Sequence, residues 1–454
     1  MFQNNQLLKN NDPIAAIATP PGEGAIAVIR LSGPNSLTIA DLFFSKKIST
    51  CQTHTAHYGK ILDSEKKTLD HVLLLLMKGP RSYTGEDTVE IFCHGGNLIA
   101  QKVLTRVYQL GARPAEPGEF SLRAFLNGKI DLAQAEAVQT MIAAKNEQAM
   151  KQAEKQLEGV LSKTISSFQK ELTEIAAILE ASVDFPEEDL QFSAREEMKR
   201  MLETSYQKME RLQKTFSDGK ILQSGISLCL IGAPNVGKSS LMNALLGYNR
   251  AIVTEIAGTT RDLIQEDLRL GNLHFRLIDT AGIRETDELI EQEGIRRSTK
   301  AMNDADLILI ILDASRPLHQ NESTLLQTTP EEKRVVVWNK IDLGSIDPTI
   351  SPLGISAKKQ LGLDLLKQAI EQKIWKEGAP EKDQMLITNL RHYQALTNAM
   401  QNVQIAIEGI SNQAFPELIA ADVRSSLHEL GTILGTNVTE EILSAIFSKF
   451  CLGK

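Results

Sequence analysis

Gly232-Ala233-Pro234-Asn235-Val236-Gly237-Lys238-Ser239 fits the pattern of a phosphate-binding loop, and its flanks suit that role. The apolar run Ile226 to Ile231 before it reads as a buried strand, and Ser240 to Leu246 after it reads as the start of a helix. In that setting the backbone of Asn235 through Ser240, with the helix N-terminus, wraps a polyphosphate. Lys238 reaches the β and γ phosphates, and the Ser239 hydroxyl ligates Mg²⁺.

Four further motifs follow in the order a GTPase requires. Gly258-Thr259-Thr260-Arg261-Asp262 takes the place of the first switch, where Thr260 adds its hydroxyl to the Mg²⁺ shell. Asp279-Thr280-Ala281-Gly282 follows the apolar edge Phe275 to Ile278. Asp279 can hold the metal through water, and the Gly282 amide can sense the γ phosphate. Asn339-Lys340-Ile341-Asp342 follows a strand over Val335 to Trp338. Asp342 can accept both the ring N–H and the exocyclic amine of guanine. Adenine offers neither in that register, which predicts discrimination on the order of 10⁴. Ser356-Ala357-Lys358 completes the base pocket. Five motifs in order predict GTP as the ligand.

Ras-like enzymes carry a water-orienting Gln just after the Gly of the second switch, and here that place holds the apolar Ile283. Arg261, Arg276 and Arg284 lie nearby in sequence, but none is marked as an internal arginine finger. A finger is worth about 10³ to 10⁵ in rate, so something else must supply that help. Asn235 offers a side-chain carbonyl where a monovalent cation could bridge the phosphates, and the carbonyls of Thr254 and Ile256 could complete its shell. The bland reading of Asn235 is a plain loop residue. Glu285, Glu288, Glu291 and Glu293 crowd the second switch; most read as solvated surface, and one is placed to position water.

A chain of 454 residues is too long for one core, and two to four domains are expected. With 42% hydrophobic and 23% charged residues it reads as folded and soluble. The longest apolar runs, Val72 to Met77 and Leu307 to Leu312, suit buried strands and are too short to span a bilayer, so no membrane association is expected. Four scattered cysteines predict free thiols in a reducing, cytoplasmic setting. Cys51, His54 and His57 invite a zinc reading, but no cysteine pair lies nearby and the spacing is wrong. A net charge of −8 disfavours indiscriminate nucleic-acid binding while allowing local basic surfaces.

Residues 1 to about 125 alternate short apolar runs with Pro and Gly punctuation, and Leu98 to Leu110 looks helical, which predicts an α+β domain. Gly22-Glu23-Gly24 mimics a dinucleotide fingerprint but precedes its strand, the wrong order for cradling a pyrophosphate. Ile130 to Asp184 holds no proline and one glycine, Gly159, and reads as long helix; a second helical stretch covers Arg195 to Ser217. Glycines around Asp218 to Gly225 mark a boundary. Strand–helix alternation then runs to about Trp375, and helical patterning resumes from Ile387 to Phe450, with Leu427, Leu430 and Ile433 on one face. Helical segments on both sides of an α/β module predict its insertion into a helical domain. The expected fold is therefore multidomain, α/β and α. It comprises an N-terminal α+β domain over 1–126, a helical domain over 127–220 and 381–454, and an inserted Ras-like phosphate-loop G domain over 221–380.

From end to end the chain resembles the tRNA-modifying GTPase family MnmE, also called TrmE. The resemblance rests on Ala18-Thr19-Pro20-Pro21-Gly22, Ile29-Arg30-Leu31-Ser32-Gly33, Ser82-Tyr83-Thr84-Gly85-Glu86-Asp87 and His94-Gly95-Gly96. It continues through Arg113-Pro114, Pro117-Gly118-Glu119-Phe120, Arg123-Ala124-Phe125-Leu126-Asn127-Gly128-Lys129, the GTPase motifs and the tail Phe450-Cys451-Leu452-Gly453-Lys454. The resemblance implies a folate-binding-type N-terminal domain that also dimerises the chain. It implies a complex with the FAD-containing flavoprotein MnmG (GidA), as a heterotetramer or larger. That complex adds an aminomethyl or carboxymethylaminomethyl group to C5 of the wobble uridine of certain tRNAs, from 5-formyl- or methylene-tetrahydrofolate. By motif position, Arg30, Glu90, Lys129 and Lys454 are the implied folate contacts. Asn235, Thr254, Ile256 and Thr259 are the implied K⁺ site, and Glu291 the residue that orients the catalytic water. K⁺ and pairing of G domains would then replace the missing Gln and finger. Leu452 stands where many relatives carry Ile, and the role of Cys451 is open. The runner-up is a GTP-switched binding protein for ribosome assembly. Such proteins append an RNA-binding module or a second G domain, whereas this chain carries folate-type blocks.

Overall fold

The structure is a computed structural model that describes residues 12–184, 192–248, 267–270, 273–278, 302–375, 380 and 384–454. The chain divides into two compact units. One comprises Met1–Ala143, Ala153–Glu210 and Gln394–Lys454, and the other Ala144–Gln152 and Arg211–Tyr393.

The first unit is built on β1 (Ile14–Ile17), β2 (Ile26–Ser32), β3 (Thr55–Leu62), β4 (Thr68–Met77), β5 (Thr88–His94) and β6 (Arg113–Pro114), in the order β3-β4-β5-β2-β1-β6. All neighbours are antiparallel except β1 with β6. Period-2 alternation decides which face is buried. Val72, Leu74 and Leu76 of β4 and Val89, Ile91 and Cys93 of β5 share a core with Ile39, Phe43, Val103 and Val107 of helices Ser36–Phe43 and Asn97–Gln109. Arg30 and Glu90, opposite each other in register, take the alternate positions and so face away from that core.

The helical stretch predicted as continuous from Ile130 is in fact three helices, Leu132–Ala143, Glu147–Leu157 and Val160–Asp184. Gly159, at φ 81°, supplies the left-handed residue that ends the second, and the Gln134 side chain caps the Leu157 carbonyl at 2.8 Å. Helix-favouring composition cannot reveal such breaks, because tertiary capping makes them affordable. Helix Pro416–Leu434 packs on Val160–Asp184. Its buried face is Ile419, Val423, Ser426, Leu430 and Ile433, so Leu427, expected on that face, sits half-buried at its flank.

The second unit carries β7 (Ile226–Ile231), β8 (Asp267–Leu270), β9 (Leu273–Ile278), β10 (Leu307–Asp313) and β11 (Arg334–Asn339), in the order β11-β10-β7-β9-β8 and parallel except for β8. Every residue of β10 is buried, as expected of a parallel strand covered on both faces. Helices Lys238–Tyr248, Gln320–Thr328 and Leu363–Ile374 belong to the same unit. The C-terminal ends of β7, β10 and β11 lie side by side, the edge where open α/β sheets bind ligands.

Gly219, read from sequence as part of a boundary, lies instead inside helix Phe216–Ser224. A Cβ there would collide with the carbonyl of Ile387. Alanine normally stabilises a helix interior by about 1 kcal/mol over glycine. Backbone overlap costs more, about 1–3 kcal/mol, so close approach explains this glycine. Gly225, at φ 72°, is the true break before β7.

Candidate functional site

The loop between β7 and helix Lys238–Tyr248 presents Asn235 at its exposed rim in a left-handed conformation, φ 63°. Asn and Gly tolerate that region best, which fits Asn235 and Gly237, at φ 97°. Val236 is fully buried and anchors the loop. The Lys238 ammonium donates to the carbonyls of Gly232 at 2.8 Å and Ala233 at 3.1 Å, curling over the loop. Burial holds its pKa below the ordinary lysine value. Ser239 and Ser240 follow on the first, exposed turn of the helix, where a hydroxyl oxygen suits a hard cation.

Asn339, 2% exposed, ties two motifs together. Its side-chain amide donates to the Val236 carbonyl at 2.8 Å, and its side-chain oxygen accepts from the Ala357 amide at 3.0 Å. One buried residue therefore sets the spacing between the phosphate loop and the Ser356-Ala357-Lys358 turn. A Cβ on Gly237 would strike the Asn339 amide, so the loop's glycine is fixed by this contact as well as by its backbone. Asp342 lies against Ser356 and 3.6 Å from the Lys359 ammonium. The Ser356 hydrogen bond, helped by Lys359, holds its carboxyl below the usual range. Ser356 is fully buried and Lys358 exposed. Lys340, at φ 65°, directs its ammonium to Asp313 at 2.6 Å. No motif marks Asp313 in the sequence. Its signal was available, since an acid ends the apolar run of β10 and pairs in register with Asn339 at the end of β11.

Thr254, Ile256, Thr259, Thr260, Asp279, Thr280, Ala281, Gly282, Glu291 and the Ile283 position lie outside the described residues.

A second cluster forms in the first unit. Arg30 donates from Nε to Glu90 at 2.9 Å, pairs with it again through its terminal nitrogen at 2.8 Å, and donates to the Gly453 carbonyl at 3.1 Å. Its guanidinium lies 5.6 Å from the ring centres of both Tyr83 and Phe120. Burial raises the Tyr83 phenol pKa, and that hydroxyl shares a 2.7 Å hydrogen bond with Ser121. The chain's end is thereby stapled to β2. Gly453 is left-handed, and a Cβ on it would crowd the Ile17 carbonyl and Ala18. Lys454 is half-buried; burial first, and then Arg30, hold its pKa below the usual lysine value. Lys129 is held differently, its ammonium donating to the Pro80 carbonyl at 2.9 Å. Tyr83 and Phe120 fall within the family-like motifs, but only the fold puts their rings beside Arg30.

The His54 and His57 rings are engaged by the hydroxyls of Thr53 and Thr55 at 2.9 and 2.7 Å, and Cys51 lies against the Lys47 carbonyl at 3.6 Å. Among the described residues no group of three His, Cys, Asp or Glu is placed to hold a metal ion, and no helix is long and apolar enough to cross a membrane. None of the four cysteines is joined in a disulfide.

A family model described as the MnmE helical domain matches residues 132–451, and one described as the GTP-binding protein TrmE N-terminus matches residues 13–129. The chain is 55% identical to a tRNA modification GTPase MnmE of Protochlamydia amoebophila over 98% of both chains. It is 45% identical to the MnmE of Chlamydia pneumoniae and 44% identical to that of Chlamydia caviae, each over 98% of this chain and 99% of the relative. The two family models between them span residues 13–129 and 132–451, the relatives match over nearly the whole chain, and the chain belongs to the MnmE family.

Proposed function

We propose that this tRNA modification GTPase works at C5 of the wobble uridine with a tetrahydrofolate one-carbon donor. What carries the reading is that one chain, similar end to end to tRNA modification GTPases, holds both the Asn339-linked nucleotide loops and the Arg30–Glu90–Gly453 cluster. The proposed division gives residues 1–126 to folate binding and dimerisation, 127–220 and 381–454 to the helical domain, and 221–380 to GTP. The proposed working state is a homodimer, in the cytoplasm, with the flavoprotein MnmG and tRNA as partners.

In the nucleotide site, Lys238 exchanges its two carbonyl partners for phosphate oxygens, and the amides of Asn235 to Ser240 orient the polyphosphate. Asp342 reads the guanine edge, with Asn339 setting its distance from the phosphate loop. Ser239 and Thr260 would hold Mg²⁺; Asn235, Thr254, Ile256 and Thr259 would hold K⁺; and Glu291 would orient water. When bound, the two cations supply positive charge against the charge that develops on the phosphoryl oxygens, and the folate supplies the one-carbon unit. Arg30 and Lys454 provide cationic donors for an anionic ligand and Glu90 an acceptor for a heterocycle edge, with Lys129 completing the contacts. Among the described residues, the exposed Ser239 hydroxyl suits a hard cation, and the Arg30–Glu90 charge pair suits an anionic ligand with a heterocycle edge.

Mass spectrometry of tRNA from cells lacking this protein tests the function, with loss of the wobble-uridine modification expected. An unchanged nucleoside profile would reject the assignment. The cation proposal predicts much faster GTP hydrolysis in KCl than in NaCl, with Asn235→Ala removing the difference. Equal wild-type rates in the two salts would sink it.

A further inference from the structure

Lys340 has two features that ladder formation does not require. Its backbone sits in the left-handed region at φ 65°, uncommon for a residue with a long side chain. Its ammonium is held at 2.6 Å by Oδ2 of Asp313, a carboxylate 6% exposed. The sheet itself is already closed here: Asp313 and Asn339 are the last paired residues of β10 and β11, and the Ala314 amide donates to the Asn339 carbonyl at 2.9 Å. The ion pair therefore acts beyond the end of the ladder, on the loop that carries Asp342.

The carboxylate is itself fixed. Oδ1 accepts from the Ser315 amide at 2.9 Å and the Ser315 hydroxyl at 2.6 Å, leaving Oδ2 aimed at Lys340. Behind it, Arg316 leans toward the same oxygen at 4.0 Å while forking onto Glu322 at 2.8 and 2.9 Å. Glu322, 1% exposed, also accepts from the His319 amide and so locks the first turn of helix Gln320–Thr328. Burial would raise the Asp313 pKa, but Lys340 and Ser315 more than offset it and keep the carboxyl ionised below its ordinary range.

We propose that Asp313, held by Ser315 and backed by the Arg316–Glu322 fork, is a positioning residue that presets Lys340 for the guanine nucleotide. This rests on the reading of the second unit as a GTP site. A lysine stem loses much rotamer freedom when ordered, and a partner that orders it beforehand removes that cost from binding. The effect falls on the base side of the site, so GDP and GTP are affected alike.

The test is a double-mutant cycle in the full-length protein, read as dissociation of fluorescent GDP. Asp313→Asn and Lys340→Ala are each expected to speed dissociation by about tenfold, and the double variant to go no further than Lys340→Ala alone. Asp313→Glu, which keeps the charge, is expected to recover part of the loss. A merely structural lesion at Asp313 would add its effect to that of Lys340→Ala, so additivity overturns the proposal, as does unaltered dissociation in Asp313→Asn. Should Asp313→Asn fail to fold, Ser315→Ala reads the same coupling at about two- to threefold, again absent in the Lys340→Ala background. Failure of the wild-type protein to bind GDP would instead reject the GTP reading itself.

Discussion

Asp342→Asn is expected to weaken GTP binding by roughly 10⁴-fold and to create binding of xanthosine triphosphate. Guanine presents two donors on the edge a carboxylate reads, and Asp342 has two acceptor oxygens and no proton to give. An asparagine keeps one acceptor and turns the other into a donor, which meets the guanine amine donor to donor. Xanthine carries an oxygen at that position, so the same asparagine pairs with it on both atoms. The surroundings favour a clean exchange. Ser356 and Lys359 both act on the carboxylate, and the Asn339 bridge from Val236 to Ala357 fixes the loop independently of residue 342. Competition titration with fluorescent GTP and xanthosine triphosphate measures both affinities. GTP affinity within a few-fold of wild type would remove Asp342 from base recognition.

The contrast between these two loops and the rest of the molecule explains what a linear reading can reach. The phosphate loop and the Asn339 to Asp342 segment are contiguous, so their chemistry is written in neighbouring residues. What holds them in register is not. The Asn339 contacts bridge 103 and 18 residues, and the Asp313–Lys340 pair spans 27. Apolar runs marked β7, β10 and β11 well, because strands buried on both faces have no polar alternation to confuse. Glycine was the least legible residue. Gly159 ends a helix by its own φ, whereas Gly219 stays inside one because the Ile387 carbonyl leaves no room for a Cβ. Both look the same in sequence. Leu427 sits at the flank of the stripe on Pro416–Leu434 for a related reason: periodicity gives the width of an apolar face, but the neighbouring helix chooses its centre.

Arg30→Ala carries the second large effect, because one guanidinium joins three parts of the chain. It pairs with Glu90 on β5, caps the Gly453 carbonyl 423 residues away, and lies 5.6 Å from the ring centres of both Tyr83 and Phe120. The side chains of Arg30 and Glu90 are 14% and 15% exposed, so removing the cation leaves a largely desolvated carboxylate without its partner. Loss of one member of such a pair costs on the order of 3–5 kcal/mol. That cost falls on stability; separately, in the proposed folate site, losing one charge-assisted donor worth about 1.5–3 kcal/mol is expected to weaken 5-formyl-tetrahydrofolate binding by roughly 10- to 100-fold. The tail loses its staple at the same time, so amide hydrogen exchange over residues 451–454 should rise. Arg30→Lys is expected to recover little. An ammonium is a point donor that can satisfy Glu90 or the Gly453 carbonyl, but it lacks the planar fork that meets both while lying against two rings. Calorimetric titration with the folate, alongside GDP titration as a control expected to match wild type, separates this site from the nucleotide site. Full folate affinity in Arg30→Lys would show that only positive charge is needed there, and would overturn the geometric role assigned to the Arg30 fork.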